Sequence, residues 1–161
     1  MTIHSLKNII KKIFPVTHNI RYDNQTFQIM KIVLEADSTF VDVGCHKGEV
    51  LDHALKCSPN GQHFAFEPIP DLFSELELKY KNICEVKNCA ISDSCGETEF
   101  HHVVSNPAYS GIKKRSYPKY EKIDKIKIKT STLDKELINE SRVDLIKIDV
   151  EGGEYGVLKG A

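Results

Sequence analysis

No two of the five cysteines stand in a C-x-x-C pair, and the seven histidines are scattered along the chain. An odd, unclustered set of thiols argues against a disulfide framework and against a zinc site. It points to reduced, mostly buried cysteines in a cytosolic protein, and hence to a cytoplasmic location. No apolar run approaches the ~18–20 residues that span a bilayer. The opening MTIHSLKNIIKKIFP has neither the continuous apolar stretch nor the small-residue cleavage site of a signal peptide. An excess of one charge is missing too. Lys+Arg number 22 against 23 Asp+Glu, a net charge of -1, so no nucleic-acid partner is expected. There is no internal repeat and no low-complexity linker. What is present is 161 residues, 40% hydrophobic and 28% charged, a composition that supports one domain with a real core and a well-solvated surface.

The order of patterns predicts the fold class. Residues 3–13 carry Ile3, Leu6, Ile10 and Ile13 at helical spacing with lysines largely off that face, which predicts an amphipathic helix stopped by Pro15. A second helix is expected from Asn24, a good N-cap, to about Glu35, with Phe27, Met30 and Leu34 inward. Strands are predicted at 39–43, 62–67 and 84–91. Helices lie between them, EVLDHALKC after the first and one opened by Pro70 and Asp71 after the second. This alternation predicts a parallel sheet covered by helices. After it come a strand in TEFHHVV, a polar loop at 105–125, an alternating strand in KIKIKT and a short helix capped by Ser131 or Thr132. A buried strand, VDLIKIDV at 143–150, and the start of a helix in GGEYGVLKGA complete the chain.

Three of the strands end in acids: Asp42, Glu67 and Asp149. In a doubly wound sheet, ligands bind outside the carboxyl ends of the strands, where strand order reverses. Carboxylates gathered there suit a ligand that presents hydroxyls, an amine or positive charge. Gly44 permits a tight turn or close backbone approach, and Gly48 opens a helix whose N-terminus favours an anion. Glu67 stands roughly twenty residues past Gly44, about the offset at which an acid meets the ribose of a bound nucleotide. Its two oxygens accept side by side, as two ribose hydroxyls require. A nicotinamide-binding domain is the weaker reading, since G-x-G-x-x-G is absent and DVEGGE is left unexplained.

FVDVGCHKGEV, FAFEPIPDLFSEL, NCAISDSCGETEF, STLD and LIKIDVEGGEYGVLKGA occur in one order and spacing. Together they resemble the FkbM family of S-adenosylmethionine-dependent methyltransferases, over about residues 23–161. The resemblance implies an α/β, Rossmann-like class I methyltransferase sheet, here ending after the fourth core strand, with residues 1–22 as an N-terminal helix and linker. It implies S-adenosylmethionine as cofactor. Asp42, Gly44, Cys45, His46 and Gly48 would hold the methionyl end, and Glu67 the ribose. Pro68 and Ile69, with Asn88, Ala90 and Ile91, would lie around the adenine. Asp149 and Glu151 would face the donor and acceptor as the catalytic pair, with His46 a third candidate base. The family has Ala-Asn-x between the two glycines where this chain has Cys45, His46 and Lys47. The acceptor implied is a hydroxyl on a sugar, glycan or secondary metabolite. An exposed strand edge would invite pairing with a second copy. The alternative is a non-catalytic, truncated domain that binds ligand or partner only.

Overall fold

The computed structural model describes residues 18–115 and 121–161. The helix expected at 3–13 lies outside them, as do Tyr117 and Tyr120 of the polar loop. Helix α1 is His18–Val33, so it starts upstream of Asn24, which sits inside the helix rather than capping it. Met30 and Leu34 are buried as expected, with Phe27 packed against them.

Strand β1, Phe40–Val43, is buried at every position. Helix α2, Glu49–Cys57, leads to β2, His63–Phe66, and α3, Pro70–Lys79, leads to β3, Glu85–Lys87. The last core strand, β7, is Leu145–Ile148. These four strands form one parallel sheet in the order β3-β2-β1-β7. The chain runs outward from β1 through β2 to β3, then later returns to the opposite side of β1. The strand order therefore reverses at β1, where a ligand crevice belongs in this architecture.

Alternation along β1 and β2 sorts the core into two faces. Phe40 and Ala65 pack with Met30, Leu51, Ala54, Leu76 and Tyr80 beneath α1, α2 and α3. Val41, Val43, Phe64 and Phe66 pack on the other face with Leu133 of α4, Leu133–Glu136, and Val157 of α5, Glu154–Lys159. Thr132 caps α4, its hydroxyl accepting the Lys135 N–H, whereas Ser131 belongs to the preceding strand.

The single strand expected at 84–91 is two strands in two sheets. After β3, the Asn88 side chain donates to the carbonyls of Glu67 and Pro68 at 2.9 and 3.2 Å. That leaves the ladder and ties the chain to the end of β2. Strand β4, Ala90–Ile91, then enters a second sheet of order β4-β6-β5, with β5 at Gly96–Val103 and β6 at Ile123–Ser131. Its outer face carries Glu97, Glu99 and His101 opposite Lys129, Lys127 and Lys125, and Lys125 pairs with Glu99 at 2.8 Å. Its inner face supplies Phe100 and Ile128 to a third cluster with Ile69, Leu72 and Ala90. No helix among the described residues is long and apolar enough to cross a membrane.

Candidate active site

The chain leaves β1 through a tight turn. Gly44 has φ +77° and Gly48 φ +76°, and His46 between them is also left-handed at φ 49°. Histidine tolerates that region better than most side chains. A Cβ on Gly44 would lie 2.1 Å from the Asp149 carbonyl oxygen, so β1 and β7 meet here backbone to backbone. A Cβ on Gly48 would meet the Tyr80 hydroxyl at 2.3 Å. The N–H groups of Gly44 and Cys45 both donate to the Phe66 carbonyl, and that of Gly48 to the Cys45 carbonyl at 2.7 Å. The turn is thus fastened to the tip of β2.

Glu67 follows directly on β2 and is 4% exposed. One carboxylate oxygen accepts the His46 N–H at 2.9 Å and the other accepts the Ile69 N–H at 2.9 Å. Each oxygen keeps a lone pair, and the group lines the cleft. Burial drives its pKa up, against the two amide bonds and Lys147, to about 7. His46 also lines the cleft, and its Nε2 is buried without a hydrogen-bond partner. Burial, and after it the neighbouring Lys47, lower its pKa below the ordinary histidine value.

Asp149, just past β7, is exposed and lines the cleft, and its N–H donates to the Val43 carbonyl at 3.0 Å. Glu151 has φ 53° and its carboxylate is paired with Arg115. That pair joins the strand tip to the segment before β6. The segment is built rather than loose. Pro107–Tyr109 is a turn of 3-10 helix. His101 and Gly111 exchange backbone hydrogen bonds at 2.9 and 3.2 Å, and the buried Ser110 hydroxyl accepts the Val103 N–H at 2.9 Å. Pro107, Ala108, Ser110 and Ile112 consequently form one wall of a cleft open to solvent.

The cleft gathers Gly44, His46, Glu67, Pro68, Ala90, Ile91, Asp149 and Glu151 from the residues expected at the site. Four others lie elsewhere. Asp42 is wholly buried beneath the turn because alternation turns it to the helix-covered face with Phe40, and its partner is Lys147 Nζ at 3.0 Å. Cys45 packs in the core, where burial strongly raises its thiol pKa. Gly48 is buried against Tyr80, and Asn88 braces the end of β2. All five cysteines are free thiols. Sequence reasoning missed Lys147 and Phe100, and it read Pro107, Ala108, Ser110 and Ile112 only as part of a polar loop, at 105–125, that either covers the acceptor or is solvated, the solvated loop being the commoner case. A lone lysine in an otherwise apolar strand was the one available signal for Lys147. The wall depends on a second sheet folding over the first, which no local pattern announces.

A parallel sheet reversing at β1, a glycine turn at that reversal and a carboxylate at the tip of β2 describe a Rossmann-like methyltransferase fold. The chain belongs to the FkbM methyltransferase family: residues 42–161 match the Methyltransferase FkbM domain. Among curated proteins it is similar to the hexuronic acid methyltransferase AglP of Haloferax volcanii. The two are 31% identical over 148 residues, covering 88% of this chain and 57% of that relative. The chain therefore spans a little more than half the length of the relative.

Proposed function

We propose that the chain is an S-adenosylmethionine-dependent O-methyltransferase acting on a sugar hydroxyl, and on an acidic sugar in particular. The observation that carries this reading is Glu67. Its carboxylate is fixed by two amide hydrogen bonds and still presents a lone pair from each oxygen to the cleft. That is the donor set a vicinal ribose diol needs, and the apolar surfaces of Ile69, Phe100 and Ile112 beside it suit a planar adenine. The name of the similar Haloferax volcanii protein supports the choice of a carboxylated sugar.

When bound, S-adenosylmethionine supplies a methyl group on a sulfonium sulfur. Glu67 holds the ribose hydroxyls. The turn at 44–48 presents its backbone to the methionyl end, and the ionised form of Glu67 complements the cationic donor. Asp149 is the exposed carboxylate in the cleft and takes the proton of the acceptor hydroxyl. Glu151 is already paired with Arg115, so its part is to hold the wall at 107–112 against the β7 tip.

Two variants separate these roles. Glu67→Gln weakens donor binding at least about tenfold in calorimetric titration, the energy of one or two lost hydrogen bonds to a charged group. Asp149→Asn leaves donor affinity within about threefold but lowers turnover at least ~10²-fold on a hexuronic acid acceptor, followed by methylated product in mass spectrometry. Unchanged donor affinity in Glu67→Gln removes the ribose assignment. A wild-type chain that binds donor and methylates no sugar would instead be a binding module.

A further inference from the structure

Lys147 is the one charged residue in β7, and its ammonium does not lie along the strand's outer surface. It donates to the Gly44 carbonyl at 2.7 Å and lies 3.0 Å from an oxygen of Asp42. The two residues face each other in register across the β1–β7 pairing. The lysine side chain is 17% exposed and Asp42 is 0% exposed. Neither lines the cleft.

A pair of this kind is not explained by stability. Replacing a buried ion pair with well-fitted neutral side chains is often neutral or stabilising, whereas removing one partner strands the other charge. What the pair does that a neutral pair does not is deliver a cationic donor to the carbonyl of a left-handed glycine. The amides of the turn are already fastened to β2 through the Phe66 carbonyl, and Gly44 already abuts the Asp149 carbonyl. Lys147 fastens the carbonyl side of the same residue to β7. The turn is thereby clamped between the strand that ends in Glu67 and the strand that ends in Asp149.

We infer that Lys147 is a positioning residue, with Asp42 as its counter-charge, that fixes the 44–48 turn between the donor-holding Glu67 and the cleft carboxylate Asp149. This rests on the methyl-donor reading above and assigns Asp42 an indirect part in it, beneath the turn rather than against the ligand.

The test is the neutral double variant Asp42→Asn/Lys147→Met. Three readouts are taken on the whole chain: thermal melting, backbone deuterium uptake at 44–48, and calorimetric titration with S-adenosylmethionine. The expected result is melting within a few degrees of wild type, uptake at 44–48 at least about tenfold faster while β1 and β2 stay protected, and donor affinity at least about tenfold weaker. A merely structural pair would change melting along with the other two. Unchanged uptake overturns the inference, and so does faster uptake with unchanged affinity. Should the double variant not fold, Lys147→Gln carries the same two comparisons. A wild-type chain that takes up no donor would defeat the methyl-donor reading, while the uptake contrast still decides whether Lys147 holds the turn.

Discussion

Glu67 is held by opposing forces, and they make its behaviour with pH specific. Burial raises its pKa from 4.5 to about 7, while the amides of Ile69 and His46 pull it down. A carboxyl whose folded pKa exceeds its unfolded value stabilises the fold fully below the unfolded pKa, and that contribution is lost as pH rises through the folded pKa. Between pH 4.5 and about 7 the stability of wild type relative to Glu67→Gln should therefore fall by roughly 3 kcal/mol, read by urea unfolding at several pH values. Donor binding runs the other way. On the proposed reading, ribose hydroxyls would donate to the ionised carboxylate, so affinity should climb through the same window and fall toward about tenfold per pH unit below it. Flat profiles for both quantities would place the titration elsewhere. His46 and His63 have lowered pKa values from burial and act oppositely on overall stability, which is why the comparison is made against the Gln variant.

Among the elements, the junction of α2 with α3 holds the far end of the glycine turn. The Tyr80 hydroxyl follows α3 and lies 2.8 Å from both the Gly48 carbonyl and an Asp52 carboxylate oxygen, sharing its one proton between them. Lys79 supplies Asp52 with a second partner at 2.8 Å. Tyr80→Phe leaves Asp52 that cation but strips the Gly48 carbonyl of the phenolic donor. Since the aromatic ring itself is retained, the expected cost is about 1–2 kcal/mol, read as a lower urea midpoint at unchanged slope. An unaltered midpoint would mean that Gly48 is held by its backbone bonds alone. The wall segment at 107–112 is an element of another kind. It has little regular structure, yet Ser110, Gly111 and the Arg115–Glu151 pair fasten it to β5 and to the β7 tip.

At the scale of the whole molecule, the cleft lies between two sheets. The parallel sheet supplies the turn, Glu67 and Asp149, while the smaller sheet and the wall between β5 and β6 supply Phe100, Pro107, Ala108 and Ile112. A ligand seated there touches both and must raise the cost of unfolding the entire unit. With donor at about 100 times its dissociation constant, the gain is about 2.7 kcal/mol. For a chain of this size that is a rise of about 5–10 °C in melting temperature. An unshifted melting curve at that concentration would count against the cleft as the donor site.

The parallel α/β sheet, the tight turn at Gly44 and the acid tips Glu67 and Asp149 were legible in the residues alone, because each rests on local chemistry. Strand period, glycine's freedom at positive φ and the ending of a strand in an acid are all written within a few positions. Asp42, Cys45, Gly48 and Asn88 were placed at the ligand for the same reason, since they adjoin the turn in sequence. Only the tertiary structure turned Asp42 and Cys45 to the helix-covered face, set Gly48 against Tyr80 and sent Asn88 to brace β2. It alone brought Lys147 across to Gly44 and folded the second sheet over the first. Those contacts join residues tens of positions apart. They are decided by which strand lies beside which and by the face a side chain takes, and a linear pattern carries neither.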